Sequence, residues 1–315
     1  MELISLDRIK SLLQGMDLLP QIEAGFRAYS ENRAIVPPVG EMLLEKGEVH
    51  IKYGFIKGDP YYVIKIASGF YGNPSLGLPS GNGMMLLFNQ VTGANECMLL
   101  DEGYLTDVRT AVAGAIAARY LAPEGVEQIG ILGAGIQGRM QLSWLKGILP
   151  CRKVLVWGLN DEELLRYKAD MQAEGFVIET TRDVSQITAR CRLIVTTTPS
   201  KTPLLQAGKL QMGTHITAMG SDTAEKQELD PAILRDADLV VADSIPQCME
   251  RGEIFRAIQA GLLEKGKLKE LGRIISGSEQ GRVSQDQITV ADLTGVAVQD
   301  IKIATAVFEA HMASP

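Results

Sequence analysis

The segment that most constrains this chain is Ile129-Gly130-Ile131-Leu132-Gly133-Ala134-Gly135-Ile136-Gln137-Gly138-Arg139. Four apolar-patterned residues read as a buried strand, the next six match G-x-G-x-x-G, and a helix is expected from Arg139. Only in that order does a glycine fingerprint have a physical meaning. Gly133 permits the tight turn, Gly135 lets the backbone approach a pyrophosphate, and Gly138 lets helix and strand pack closely. The helix N-terminus then faces the phosphate charge. With Ala134, Ile136 and Gln137 between the glycines, residues 133–138 are read as one dinucleotide-binding loop.

The rest of this region keeps the same rhythm. Short strands are expected at Gln128–Leu132, Lys153–Trp157, Leu193–Thr197, Thr214–Met219 and Leu239–Ala242, separated by helices of about 12 to 25 residues. The alternation predicts an α/β fold with a Rossmann-type, doubly wound parallel sheet. The second strand runs into Gly158-Leu159-Asn160-Asp161, where an NAD site usually carries an acid. Asn160 or Asp161 could bond the ribose, or either could cap the next helix. No cation stands there for a 2′-phosphate, so the expected cofactor is NAD(H) or NADP(H), with NAD slightly favoured. Thr197, Thr198 and Met219 end strands at the same edge and are expected to line the nicotinamide side.

The first third has a different period. Ile9, Leu12, Leu13, Leu18, Leu19, Ile22 and Phe26 recur at helical spacing, so residues 5–30 read as helical, with Pro37-Pro38 ending that region. Polar and apolar residues then alternate. Strands are expected at Glu48–Tyr53, Tyr61–Ala67, Met84–Asn89 and Glu96–Leu100, the first two joined by Gly58-Asp59 as a two-residue type II′ loop. Thr106 reads as the N-cap of an alanine-rich helix reaching Leu121, and Val296–Met312 as a last helix packing back on this part. Residues 1–121 with 295–315 are therefore expected to form an α+β domain, and 122–294 the dinucleotide-binding domain.

Several charged residues in these elements point to chemistry. Lys65 lies in an apolar strand, which is costly unless it faces an anion or a wet cleft. The loop register sets Lys52 directly opposite it, and opposed like charges destabilise a sheet. An anion between them would resolve the conflict; two solvated lysines on an exposed face are the alternative. Arg109, placed in the first turn of its helix, could share a carboxylate with the free backbone N–H groups there. It could equally pair with Asp107 or Glu102. Asp222, in Gly220-Ser221-Asp222-Thr223, follows a strand at the sheet edge where ligands bind, and could exchange a proton or simply close a turn. His50 and His215 read as structural.

Composition removes other classes. The net charge of −7 disfavours a nucleic-acid partner. No apolar run approaches the roughly 18 residues of a membrane span, and the early charges of Glu2, Asp7 and Arg8 argue against a secretory signal. Cys97, Cys151, Cys191 and Cys248 lie far apart without paired spacing, as in reduced thiols of a cytoplasmic protein. The three histidines show no ligand spacing, so no metal is expected.

Together these residues resemble the ornithine cyclodeaminase/mu-crystallin family over nearly the whole chain. The resemblance rests on Lys65, Asn82-Gly83, Leu105-Thr106-Asp107-Val108-Arg109-Thr110-Ala111, the strand–GAGIQG–helix unit, Gly220-Ser221-Asp222 with Lys226 and Glu228-Leu229, and Thr294-Gly295-Val296-Ala297-Val298-Gln299-Asp300. It implies a homodimer whose N- and C-terminal segments build the substrate-binding and dimerisation domain. It further implies that Lys65 and Arg109 hold a substrate α-carboxylate, that Asp222 is the acid/base residue, and that Gly295 lies near the substrate. Two positions depart from the ornithine-cyclising pattern: Gly40 replaces an arginine after the proline pair, and Lys52 replaces a glutamate. The expected activity is therefore NAD(P)H-dependent reduction of a small 2-imino acid to the amino acid, as in an imine reductase or amino-acid dehydrogenase. Lys52 hints at a second carboxylate, as in iminosuccinate. A redox-neutral ornithine or lysine cyclodeaminase and a non-enzymatic NAD(P)H-binding protein are the alternatives.

Overall fold

The structure, a computed structural model, describes residues 1–314. It divides into two units, Met1–Arg109 together with the chain from Val296 onward, and Thr110–Gly295. The division falls inside a helix, between Arg109 and Thr110, whereas the sequence places it after residue 121.

In the first unit the strands are β1 (Glu2–Ser5), β2 (Ala34–Ile35), β3 (Gly40–Leu43), β4 (Glu48–Ile56), β5 (Tyr61–Gly69), β6 (Gly81–Asn89) and β7 (Asn95–Leu100). They run β1-β7-β6-β5-β4-β2, with β3 also paired to β4. β1 is parallel to β7, so the sheet is mixed. Strands β4 to β7 are the four that alternation predicts. β1, β2 and β3 are not predicted, because each is too short or too exposed to show a period. The helical region is two helices, α1 (Leu6–Leu13) and α2 (Leu19–Ser30). Gly15, at φ +76°, turns the chain between them, and Pro20 opens α2. At Gly25 of α2 the last helix, Ala297–Ala313, comes so close that a Cβ would meet the Val298 carbonyl oxygen at 3.1 Å.

The β4–β5 hairpin has the predicted register, with Lys52 facing Lys65, but not the predicted turn. Asp59 N donates to Ile56 O at 3.1 Å, so Lys57 and Gly58 are the central pair, with Gly58 at φ +89°. The register survives because one buried face of each strand specifies it.

Helix α3 (Tyr104–Leu121) leads into the second unit. There follow β8 (Ile129–Leu132), α4 (Ile136–Leu145), β9 (Lys153–Trp157), α5 (Asp161–Ala173), β10 (Val177–Thr181), β11 (Leu193–Thr196), β12 (His215–Ala218), β13 (Leu239–Ala242), β14 (Leu268–Glu270) and β15 (Thr289–Asp292). Every pairing is parallel, in the order β10-β9-β8-β11-β12-β15-β13-β14. The order reverses between β8 and β11, which creates a crevice outside the carboxyl ends of those two strands. All positions of β8, β11, β12, β13 and β15 are buried, as expected of a parallel sheet covered on both faces. The predicted strands are present. β10, β14 and β15 are additional, and several connecting helices are shorter than predicted, such as Val184–Arg190. Among the described residues no helix is long and apolar enough to cross a membrane.

Candidate active site

Helix α3 begins at Tyr104, two residues before the position predicted for its cap. Glu102 at φ +53° and Gly103 at φ +88° make a tight turn, after which Asp101 Oδ2 accepts from Leu105 N at 2.9 Å. Asp101 therefore caps the helix, and Thr106 lies within it. Burial raises the pKa of the Asp101 carboxyl. Arg109 falls in the second turn, where the backbone amides are already committed, as Asp107 N is to Gly103 O. The expected convergence of Arg109 with free amides is not formed.

Its partners are side chains of the last helix instead. Arg109 Nε lies 3.0 Å from Asp300 Oδ1, and Nη1 donates to Gln299 Oε1 at 3.0 Å. Lys65 Nζ donates to the same Asp300 oxygen at 3.1 Å. Lys65 is 2% exposed, Arg109 5% and Lys52 6%, which excludes a pair of solvated lysines. Burial, with help from the Arg109 charge, lowers the Lys65 ammonium to about 8 against the pull of Asp300. Burial alone would raise Asp300; Arg109, Lys65 and Lys52 together hold its carboxyl below the usual range. Asp300 Oδ2 and Gln299 Nε2 are buried without a hydrogen-bond partner among the described residues. A buried acceptor and donor left open beside three cations mark a place for a polar ligand.

In the second unit, the glycine loop fits a dinucleotide. Gly133 adopts φ +111°, and a Cβ there would meet Thr197 Oγ1 at 2.6 Å. A Cβ on Gly138 would meet Gly133 O at 2.1 Å, whereas Gly135 faces open space. Ala134 is buried and Ile136 exposed. Gly135 is the N-cap of α4 and provides no side-chain cap, so the end of α4 is built for an anion. Asn160 Oδ1 accepts from Glu162 N at 2.8 Å, so Asn160 caps α5. Asp161 pairs with Arg182 at 3.2 Å.

Thr197 and Thr198 sit where β11 leaves the sheet, with their hydroxyls turned to protein: Thr197 Oγ1 to Leu132 O at 2.9 Å, Thr198 Oγ1 to Glu228 Oε1 at 2.7 Å. Met219 follows β12 and is buried. Asp222 has a partly exposed side chain, 38%, and accepts from the nearly buried Lys226 Nζ at 2.7 Å. Gly295, at φ +82°, donates its N–H to Asp243 Oδ2 at 2.7 Å. His215 bonds Thr289 and Thr217, and burial lowers it to about 3, so it stays neutral inside the sheet.

Sequence reasoning assigned no role to Gln299, Asp300, Glu228 or Glu253. Asp300 and Gln299 carried a signal, two polar residues inside an apolar helix face. Glu228 was in view only as part of the Glu228-Leu229 segment of the family resemblance, with no role attached, and Glu253 carried no signal, since an isolated glutamate reads as surface.

A parallel sheet with a glycine loop at its switch point, in a chain that also holds an α+β unit with buried cations, defines a Rossmann-type dinucleotide-binding fold. The chain belongs to the ornithine cyclodeaminase/mu-crystallin family, whose sequence profile matches residues 2–314. An uncharacterised cyclodeaminase of Sinorhizobium fredii is 42% identical over 299 residues, covering 93% of this chain and 90% of its own. The iminosuccinate reductase of Paracoccus denitrificans, solved with NAD+, matches with a TM-score of 0.89 at 32% identity, over 99% of this chain and 97% of that one. An archaeal alanine dehydrogenase dimer with bound NAD matches with a TM-score of 0.91 at 30% identity, over 99% and 96%.

Proposed function

We propose that this protein is an NAD(P)H-dependent oxidoreductase that reduces a small 2-imino acid to the amino acid, with a dicarboxylic imino acid of the iminosuccinate type as its substrate. The observation that carries this reading is the convergence of Lys65 and Arg109 on one oxygen of Asp300 with Lys52 facing Lys65. Cations gathered in this way repel one another, and a carboxylate ligand relieves that repulsion. Lys65 and Arg109 anchor the α-carboxylate, and Lys52 takes the second one. Gly295 contributes backbone beside the substrate, fixed by Asp243. Asp222, oriented by Lys226, delivers a proton to nitrogen during reduction and accepts it in reverse.

The dinucleotide is held by the loop 133–138, by Asn160 and by the edge formed by Thr197, Thr198 and Met219; when bound it supplies the hydride. NADH is slightly favoured over NADPH, because three acids, Asp161, Glu162 and Glu163, follow Asn160, and the nearby Arg182 and Arg166 are engaged by two of them. The NAD-bound relatives support the cofactor class, and the reductase from Paracoccus supports the substrate class. The archaeal alanine dehydrogenase dimer supports a homodimer as the working form.

A reductase and a cyclodeaminase differ in net redox. With oxaloacetate and ammonia as the source of imino acid, NADH absorbance should fall in proportion to amino acid formed. Ammonia released from ornithine or lysine with no net cofactor change would replace this reading with the cyclodeaminase.

A further inference from the structure

One buried charge at the carboxyl edge of the parallel sheet has no part in the reaction as described. Glu228 is 0% exposed. Its Oε1 accepts from Thr198 N at 2.6 Å and Thr198 Oγ1 at 2.7 Å; its Oε2 accepts from Thr196 Oγ1 at 2.7 Å and Gly220 N at 2.9 Å. Four donors on two oxygens fill the lone-pair sites of a carboxylate and favour its ionised form, against burial, which pushes its pKa up to about 7. The first three belong to the segment leaving β11 and the fourth to the segment leaving β12, two residues before Asp222.

The surrounding backbone shows that these segments are pressed together. A Cβ on Gly220 would meet Thr198 O at 2.2 Å and Thr198 N at 2.5 Å. Thr197 N and Oγ1 both donate to Leu132 O, at 2.8 and 2.9 Å, which joins the glycine loop to the same bracket. Glu228 is itself anchored, its N–H donating to Glu253 Oε1 at 2.6 Å and that of Leu229 to Oε2 at 3.2 Å. A buried carboxylate is a poor device for stability alone, since apolar packing of the same volume does as well or better. What it provides is geometry, because it holds two loops at fixed distances through directional bonds.

We propose that Glu228 is a positioning residue for hydride and proton transfer: it clasps the loops after β11 and β12 into one platform and so sets the place of Thr197, Thr198 and Asp222. The proposal rests on the oxidoreductase reading above. A misplacement of about 1 Å in such a platform can lower turnover about a hundredfold.

The test combines kinetics with amide hydrogen exchange on the full-length enzyme. Glu228→Gln turns an acceptor into a donor opposite two of the four donors. Its kcat should fall about 10- to 100-fold, while the Kd for NADH and the KM for the imino acid stay within about threefold. Peptides spanning residues 196–200 and 218–222 should exchange faster, with the rest of the sheet unchanged. Thr198→Val removes one donor and retains shape, and should show a smaller loss in kcat with the same local exchange. It serves as the second variant if Glu228→Gln does not fold. A kcat within threefold of the parent in the folded variant, or unchanged exchange in both peptides, overturns the proposal. So does a loss that appears only in NADH binding. If the unaltered enzyme reduces no imino acid, the oxidoreductase reading fails instead, and the exchange measurement still decides whether Glu228 holds the two loops.

Discussion

Lys52 and Lys65 stand directly across from one another on neighbouring antiparallel strands, and both are buried. Directly opposed like charges weaken a sheet, so the pairing has to be offset by something with negative charge. Asp300 provides part of that offset in the protein itself, since its carboxyl is held down by Arg109, Lys65 and Lys52 together.

The pairing makes a prediction about substrate choice. A charge-assisted hydrogen bond is worth about 1.5–3 kcal/mol, and 1.4 kcal/mol is about tenfold in efficiency. Lys52→Met should therefore lower kcat/KM about tenfold or more on a dicarboxylic imino acid and little on an alanine-sized one. Equal losses on both would assign Lys52 to the fold or to the shared carboxylate site.

Lys65 predicts a pH dependence. Burial and the Arg109 charge bring its ammonium down to about 8. The cation is present below that pH and lost above it, so affinity for a carboxylate substrate should weaken as pH rises through about 8. Arginine does not titrate in this range. The alkaline limb of kcat/KM should therefore disappear in Lys65→Arg assayed on the same substrate, whatever its absolute activity. A limb that stays at the same pH would belong to another group.

Asp300 is the carboxylate shared by two buried cations. Asp300→Asn removes the carboxylate that Lys65 and Arg109 share, and breaking a buried pair this way costs about 3–5 kcal/mol. Urea denaturation should show that loss. A saturating dicarboxylate should restore more stability to the variant than to the parent protein, because it replaces the missing charge. Equal stabilisation of both would separate the ligand from this cluster.

Asp222→Asn keeps the size of the side chain and removes its ability to exchange a proton. Turnover should fall by about 10²- to 10⁴-fold, the usual contribution of a general acid–base group, with NADH binding retained. Activity within about threefold of the parent would assign proton transfer elsewhere.

The legible parts of the molecule were those with a period or a conformational requirement. The five predicted strands of the second unit follow from short apolar runs, the glycine loop from its fingerprint after a strand, and the Lys52–Lys65 register from the place of the hairpin loop, although the turn itself is centred one residue earlier. Short elements were not legible: β2 has two residues and β14 three, too few to display any alternation. The start of α3 was misplaced because Thr106 is a good cap by composition, whereas Asp101 reaches the helix through a turn that contains a left-handed Glu102. Asp300 was in view as part of a motif. Its role was not, because the pairing joins residues 235 positions apart in sequence. Glu228 and Glu253 were hidden for a similar reason: only the folded sheet edge shows which distant donors surround them.

The last helix, Ala297–Ala313, has a consequence for how the chain is made. It belongs to the same unit as residues 1–109, although the whole second unit lies between them in sequence. It brings Asp300 to Lys65 and Arg109, and Lys302 to Asp59 at 2.7 Å. During synthesis the intervening unit has all of its strands available before this helix leaves the ribosome, and domains generally fold as units as they emerge. The amino-terminal sheet must wait, with Lys65 and Arg109 lacking their counter-charge and α2 lacking the surface it packs against. The sheet translated earlier of the two is thus the later to be finished, and a product stalled before this helix would carry a complete parallel sheet and an incomplete, cation-rich one.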